Sequence, residues 1–320
     1  MEQFLKSKFK IGQKRAESPF SLTYNGTTLS GEYPVIIKVY KRGTLNSSLI
    51  KSMKQKVKTL MENIHPKIIP LLDGDYGWQG FYYVRPFAAG QSLEEFIRNK
   101  SLDLAQAEEI AIQICDALSA AHKKGIVHGA LKPSNIIIDR EGVKLVDFVI
   151  EGEVKESLPQ KVAAILDNSE NLSSEELAGG SATTSSDIFG TGALLYEMLT
   201  FKKPFSSQLN RLKGIITPNS SIPKHLLDII QKALEPDPLL RYKNISLLVE
   251  SLKRKTIIEP QEDFDLPQIE IENTPHPKDV ETQIVKQERS KSLFLVVLIL
   301  IGALSGIIYA IINTIILRQQ

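Results

Sequence analysis

The chain has 320 residues, room for one large or two medium domains and a tail, and its 39 basic against 37 acidic residues leave a formal charge of +2. That balance argues against an extended nucleic-acid-binding surface. A single cysteine, Cys115, excludes an internal disulfide and fits a reducing compartment, and its apolar helical surroundings read as core. The opening Met1-Glu2-Gln3-Phe4-Leu5-Lys6 is too polar and broken for a secretory leader.

Residues 9–40 read as strands, with Asn25-Gly26 predicting a hairpin turn among them. Val35-Ile36-Ile37-Lys38-Val39-Tyr40 is a β-branched run broken by one lysine, which taken alone reads as an edge-strand feature. A basic helical stretch over 47–63 leads to His65-Pro66 and Ile68-Ile69-Pro70-Leu71-Leu72. A strand pair around 75–86 and the small-residue connector Ala88-Ala89-Gly90-Gln91 follow. Helical spacing then takes over at 92–98 and 104–124. Residues 125–149 return to short strands, 150–182 are loop-like, and 183–256 are helical with proline-marked breaks. The change near residue 88 predicts a small strand-rich lobe joined to a larger helical one, with the cleft between them favoured for a ligand. Residues 257–282 carry four prolines and eight acidic residues against one lysine, the composition of a disordered linker, which runs on to 292.

His128-Gly129-Ala130-Leu131-Lys132-Pro133-Ser134-Asn135 resembles the catalytic loop of protein kinases, H-R-D-L-K-P-x-N. In that family the Asp accepts the substrate hydroxyl proton and the Asn holds magnesium; here Ala130 replaces the Asp and Gly129 the Arg. Val35-Ile36-Ile37-Lys38 is similar to the V-A-I-K strand whose lysine contacts nucleotide phosphates. Asp147-Phe148-Val149 stands where D-F-G would, 12 residues after Asn135. Ser173-Ser174-Glu175 stands for A-P-E. Asp187 and the run Gly190-Thr191-Gly192, with Leu194 to Thr200, resemble the family's central helix, followed by Pro236-Asp237-Pro238-Leu239-Leu240-Arg241. The resemblance spans about residues 9–253. It implies an α+β, two-lobed protein-kinase-like fold of bacterial Ser/Thr type, with the N-lobe over 1–88 and the C-lobe over 89–256. By the same resemblance Glu175 pairs with a buried Arg241, and Asp187 ties down the catalytic-loop backbone.

The reaction machinery departs from the family. The phosphate-covering loop, G-x-G-x-x-G-x-V in the family, places Ala16, Ser18 and Ser21 where the glycines belong and Thr23 at the valine, with Pro19 inserted. The regulatory-helix glutamate falls on Lys56, leaving Lys38 to face a second cation or solvent; Glu62 lies about 120° off that face. Val149 replaces a glycine. No catalytic residue is intact, although Lys132 remains. Lys38, Asn135 and Asp147 are the expected ATP-binding set, with Asn135 and Asp147 holding Mg2+; Asn and Asp also stabilise turns without any ligand.

Residues 293–317 are 25 uncharged positions, long enough to span a bilayer. Lys286, Arg289 and Lys291 precede them and Arg318 follows, which puts the kinase-like domain on the cytoplasmic side. The expectation is a tail-anchored, single-pass protein at the inner or plasma membrane. Gly302, Gly306 and Ala310, spaced by four, allow a homodimer through that helix, the alternative being a monomeric anchor. Three readings follow. The first is a membrane-anchored pseudokinase that scaffolds or regulates protein partners. The second is an active atypical Ser/Thr kinase, and the third a nucleotide-dependent conformational switch.

Overall fold

The computed structural model describes residues 8–18, 20–29, 33–62, 64–77, 79–148, 172–178 and 180–254. The chain divides into two units, Met1–Ile257 and Ile258–Gln320, and every described residue lies in the first. Among the described residues no helix is long and apolar enough to cross a membrane. Pro19, Val149, the linker over 257–292 and the uncharged run 293–317 with Gly302, Gly306 and Ala310 lie outside them.

The strand-rich lobe is a five-stranded antiparallel sheet of β1 (Phe9–Glu17), β2 (Ser21–Thr28), β3 (Pro34–Lys41), β4 (Asp73–Gly77) and β5 (Gly80–Pro86), in the order β1-β2-β3-β5-β4. Helix α1 (Ser47–Leu60) packs on it, started by the Asn46 side chain accepting from the Leu49 amide at 2.8 Å. It turns Met53, Val57 and Leu60 inward and ends three residues short of the expected 63.

Asn25-Gly26 does not make the hairpin turn that its composition suggests; it sits inside β2, opposite Ile36 and Val35. The reason is close backbone approach: a Cβ on Gly26 would lie 2.7 Å from the Lys10 carbonyl oxygen and 3.0 Å from Ile37 Cδ1. Lys38 is not the edge-strand feature that it suggests taken alone, because β3 lies in the middle of the sheet, in keeping with the resemblance to the V-A-I-K strand.

Two-residue alternation sorts β3 and β5 into two faces. Val35, Ile37 and Val39 of β3 pack with Tyr82 and Val84 of β5 and Phe9 in a small outer core. Tyr40, Phe81 and Tyr83 face the main core, which continues through the helical lobe. Lys38 pairs with Tyr83 and Ile36 with Arg85 in the register, so Lys38 and Arg85 share the inner face with that aromatic set.

The helical lobe contains α2 (Leu93–Arg98), α3 (Leu104–Lys123), α4 (Ser174–Leu177), α5 (Thr184–Thr200), α6 (Gln208–Leu212), α7 (Lys224–Ala233) and α8 (Ile245–Lys253). It also carries a small sheet of β6 (Gln91–Ser92), β7 (Ile136–Asp139) and β8 (Gly142–Leu145). Capping boxes start α2 at Ser92, α3 at Asp103 and α5 at Thr183. Helix α3 buries a helical-period stripe that includes Ile110, Ile114, Cys115 and Leu118. Cys115 is thus core, as expected, and burial pushes its thiol pKa up. Helix α5 is buried from Ser186 to Met198 and forms the centre of the lobe. An isolated parallel bridge between Ile68 and Leu145 ties the segment after α1 to the end of β8, which positions Asp147 close to the inner face of the large sheet.

Candidate functional site

The loop over 128–135 is held from beneath by one carboxylate. Asp187, near the start of α5 and 1% exposed, accepts from the backbone amides of His128 (2.8 Å) and Gly129 (2.9 Å) and lies 2.8 Å from His122 Nε2. Such buried charge-assisted bonds fix the loop more firmly than neutral ones. Gly129 has φ 64, a left-handed conformation that glycine adopts without a Cβ clash. Ala130 follows, 4% exposed, its amide donating to His128 Nδ1 at 3.3 Å and its carbonyl accepting from Asn135 Nδ2 at 3.0 Å. The His128 ring packs against Phe148 with centroids 4.5 Å apart. A well-defined loop therefore presents a methyl group at the position aligned with the proton acceptor.

Above it, the inner face of the sheet brings Lys38 and Arg85 to Asp147. Lys38 Nζ lies 3.9 Å from Asp147 Oδ2, and Arg85 Nε donates to Oδ1 at 2.9 Å; all three side chains are 12–13% exposed. The Arg85 Nη1 also reaches the Pro86 carbonyl at 3.3 Å. Asp147 itself has φ 59, an uncommon conformation that aspartate tolerates better than most residues. Sequence reasoning missed Arg85. The usable signal was the alternation in Phe81-Tyr82-Tyr83-Val84-Arg85, which puts an arginine on the same face as Lys38.

The expectation that Lys38 faces Lys56 or solvent is corrected, since its acidic neighbour is Asp147. Helix α1 contains no Asp or Glu at all, so no carboxylate of that helix could pair with Lys38. Lys56 is half-buried and lines a shallow depression with Ser48, Lys51, Ser52 and Gln55. Glu62 lies beyond the helix, 4.0 Å from Lys124 on the surface.

The β1–β2 turn closes on itself. Ser18 Oγ accepts from the amides of Phe20 (3.3 Å) and Ser21 (3.0 Å), and the Ser18 amide donates to the Ser21 carbonyl at 2.8 Å. Proline at 19 has no amide proton. Among the described residues of the turn, the Ser18, Phe20 and Ser21 amides, of the kind a glycine-rich loop would turn toward phosphates, are taken up within it.

A second polar cluster braces the helical lobe. Arg241, its side chain fully buried, grips Glu175 with two bonds, Nη1 to Oε1 at 2.8 Å and Nη2 to Oε2 at 2.7 Å. It also donates to the carbonyls of Glu235, Ser185 and Pro236 and stacks over Phe189 at 4.9 Å. Burial works to raise the Glu175 carboxyl pKa, but the Arg241 and backbone hydrogen bonds outweigh it and hold the pKa below the usual glutamate range.

A five-stranded antiparallel sheet over a mainly helical lobe, with a lysine of the sheet set against an aspartate beyond β8, defines a two-lobed, kinase-like protein. Sequence comparison agrees: the family model described as "Protein kinase domain" matches residues 11–253, and the chain belongs to the protein kinase family. It is 28% identical over 265 residues to a Clostridium perfringens protein named "Probable serine/threonine-protein kinase", covering 79% of this chain and 39% of that protein. It is 32% identical over 223 residues to serine/threonine-protein kinase PrkC of Bacillus subtilis, covering 65% and 34%. With a Lactococcus lactis protein named "Probable serine/threonine-protein kinase PknB" it shares 27% over 308 residues, covering 89% and 49%. The chain thus matches between about a third and a half of the length of these relatives.

Membership implies ATP and Mg2+ in general terms. The two residues that would hold Mg2+ are Asn135 and Asp147. As placed here they do not fit a dication, because Asp147 has a guanidinium on one oxygen and an ammonium near the other.

Proposed function

We propose that this chain is a kinase-fold regulator that binds nucleotide phosphates but lacks the group needed to activate a substrate hydroxyl. The observation that carries this is Ala130, a buried methyl held in a fixed loop, while Lys38 remains on the inner face of the sheet beside Asp147. A positioned general base contributes roughly 10²–10⁴ in rate, and the absence of a carboxylate from α1 and the self-closed β1–β2 turn add to that loss. Lys38 supplies positive charge for the phosphates. Asn135 supports the loop through its side-chain bond to the Ala130 carbonyl and its amide's bond to the Lys132 carbonyl at 2.9 Å. The proposed setting is the cytoplasmic face of a membrane, with 293–317 as a single span, a homodimer through Gly302, Gly306 and Ala310, and protein partners regulated by the kinase-like domain.

The test is a thermal shift of the full chain with ATP. At about 100 times its dissociation constant, a ligand adds about 2.7 kcal/mol, which raises the melting temperature of a domain this size by roughly 5–10 °C. That rise should vanish in Lys38→Met. If ATP leaves the wild-type melting temperature unmoved, the nucleotide part of the proposal fails.

A second reading, an active atypical Ser/Thr kinase, is favoured by the names of the relatives, which support it at least as directly as they support the first. In that reading the substrate or another group handles the proton. It requires phosphate transfer that is lost in Asp147→Asn.

A further inference from the structure

We propose that Arg85 is the built-in cation of this pocket. It occupies Asp147 in place of a divalent metal, so that nucleotide phosphates are received metal-free. The inference rests on the nucleotide-binding reading above and adds to it which charged form of the ligand the site takes.

The geometry carries it. Arg85 Nε is 2.9 Å from Asp147 Oδ1, and the same guanidinium is fixed from its other side by the Pro86 carbonyl at 3.3 Å. Lys38 Nζ approaches the second carboxylate oxygen at 3.9 Å. Three side chains of 12–13% exposure thus carry two positive charges and one negative. Mg2+ requires oxygen ligands at near-octahedral angles and short range. A dication on Asp147 would have to displace the arginine or lie against it, and arginine does not lose its proton to relieve the repulsion. The other prospective ligand is engaged as well, because the Asn135 side-chain amide donates to the Ala130 carbonyl at 3.0 Å. Lys38, Arg85 and Asp147 together carry one net positive charge, which suits a phosphate anion better than a metal complex whose charge is already partly cancelled.

The position of Arg85 is set by the sheet. Its register opposite Ile36 on β3 places it one same-face step from Lys38 and on the side of Tyr83. The arginine is therefore held over Asp147 by backbone pairing rather than by a flexible loop.

Titration calorimetry of the full-length protein with ATP, once in EDTA and once in excess Mg2+, reads this directly. The wild type should bind at least as tightly in EDTA as in Mg2+. Arg85→Met should reverse the order, with Mg2+ tightening binding tenfold or more. Arg85→Lys, which keeps a positive charge but loses the second anchor on the Pro86 carbonyl, should fall between the wild type and Arg85→Met, and a wild-type urea midpoint in each variant excludes a folding defect. Wild-type binding that needs Mg2+ by tenfold overturns the inference while leaving the nucleotide reading intact. An Arg85→Met variant that binds ATP with the wild-type indifference to Mg2+ overturns the role given to Arg85. Absence of ATP binding by the wild type in both buffers overturns the inference and the nucleotide reading together.

Discussion

Arg241→Met isolates the contribution of the buried brace in the helical lobe. The substitution keeps an unbranched apolar stem in the cavity but removes every donor. The guanidinium now serves both Glu175 oxygens at 2.7–2.8 Å and three backbone carbonyls at 2.7–3.1 Å, with its own side chain 0% exposed. Breaking a buried pair from one side leaves an uncompensated charge and costs about 3–5 kcal/mol. Glu175 keeps 19% side-chain exposure, and water can reach it once the arginine is gone, so the lower half of that range applies. For a domain of this size about 3–4 kcal/mol corresponds to a fall of roughly 6–16 °C in melting temperature. Urea unfolding of wild type, Arg241→Met, Glu175→Gln and the double variant gives the free energies and the coupling, expected at about 1–3 kcal/mol. A loss below about 1 kcal/mol for Arg241→Met, the size of an exposed pair, would refute the claim that this contact holds the lobe together.

The pH dependence has a definite sign. The Glu175 pKa is lowered in the folded chain, so its contribution is fully present above the unfolded value of about 4.3 and is lost as pH falls through the folded one. Glu175→Gln should therefore flatten the acid limb of the stability curve below about pH 4, as followed by urea midpoints at stepped pH. Gly129→Ala forces a Cβ into the left-handed region at φ 64 and should cost about 1–2 kcal/mol, measured by the same unfolding experiment. Ser18→Gly frees the Phe20 and Ser21 amides from the serine side chain and should tighten ATP roughly tenfold, about 1.4 kcal/mol, the low end for a bond to a charged group. Unchanged or weaker ATP binding in calorimetry would mean that the turn does not approach the phosphates.

Much of the fold was legible because its signals are local and repeated. The apolar stripe of α3 and the run Val35 to Tyr40 each state their element without tertiary help. The motif order then placed Asp187 beneath the loop and Glu175 against Arg241, and both contacts are present. Asn25-Gly26 misled because glycine answers two different needs. A turn and a close backbone crossing look the same in sequence, and only the Lys10 carbonyl shows which applies. Lys56 was read from spacing alone, which shows that a glutamate is missing but not where Lys38 turns instead. Arg85 was overlooked because its partner lies 62 positions away; that pairing depends on strand register and on the Ile68–Leu145 bridge. The span and linker readings concern residues outside those the structure describes.

The most direct test of the central claim is phosphate transfer. Full-length wild type and Asp147→Asn would be incubated with ATP labelled on the γ-phosphate, with and without Mg2+, alone and with a broad panel of protein substrates. With Ala130 in the place of a proton acceptor, label on protein in the wild type should not exceed that in Asp147→Asn. Label that rises with time in the wild type and disappears in Asp147→Asn would contradict the account and make this chain a working kinase.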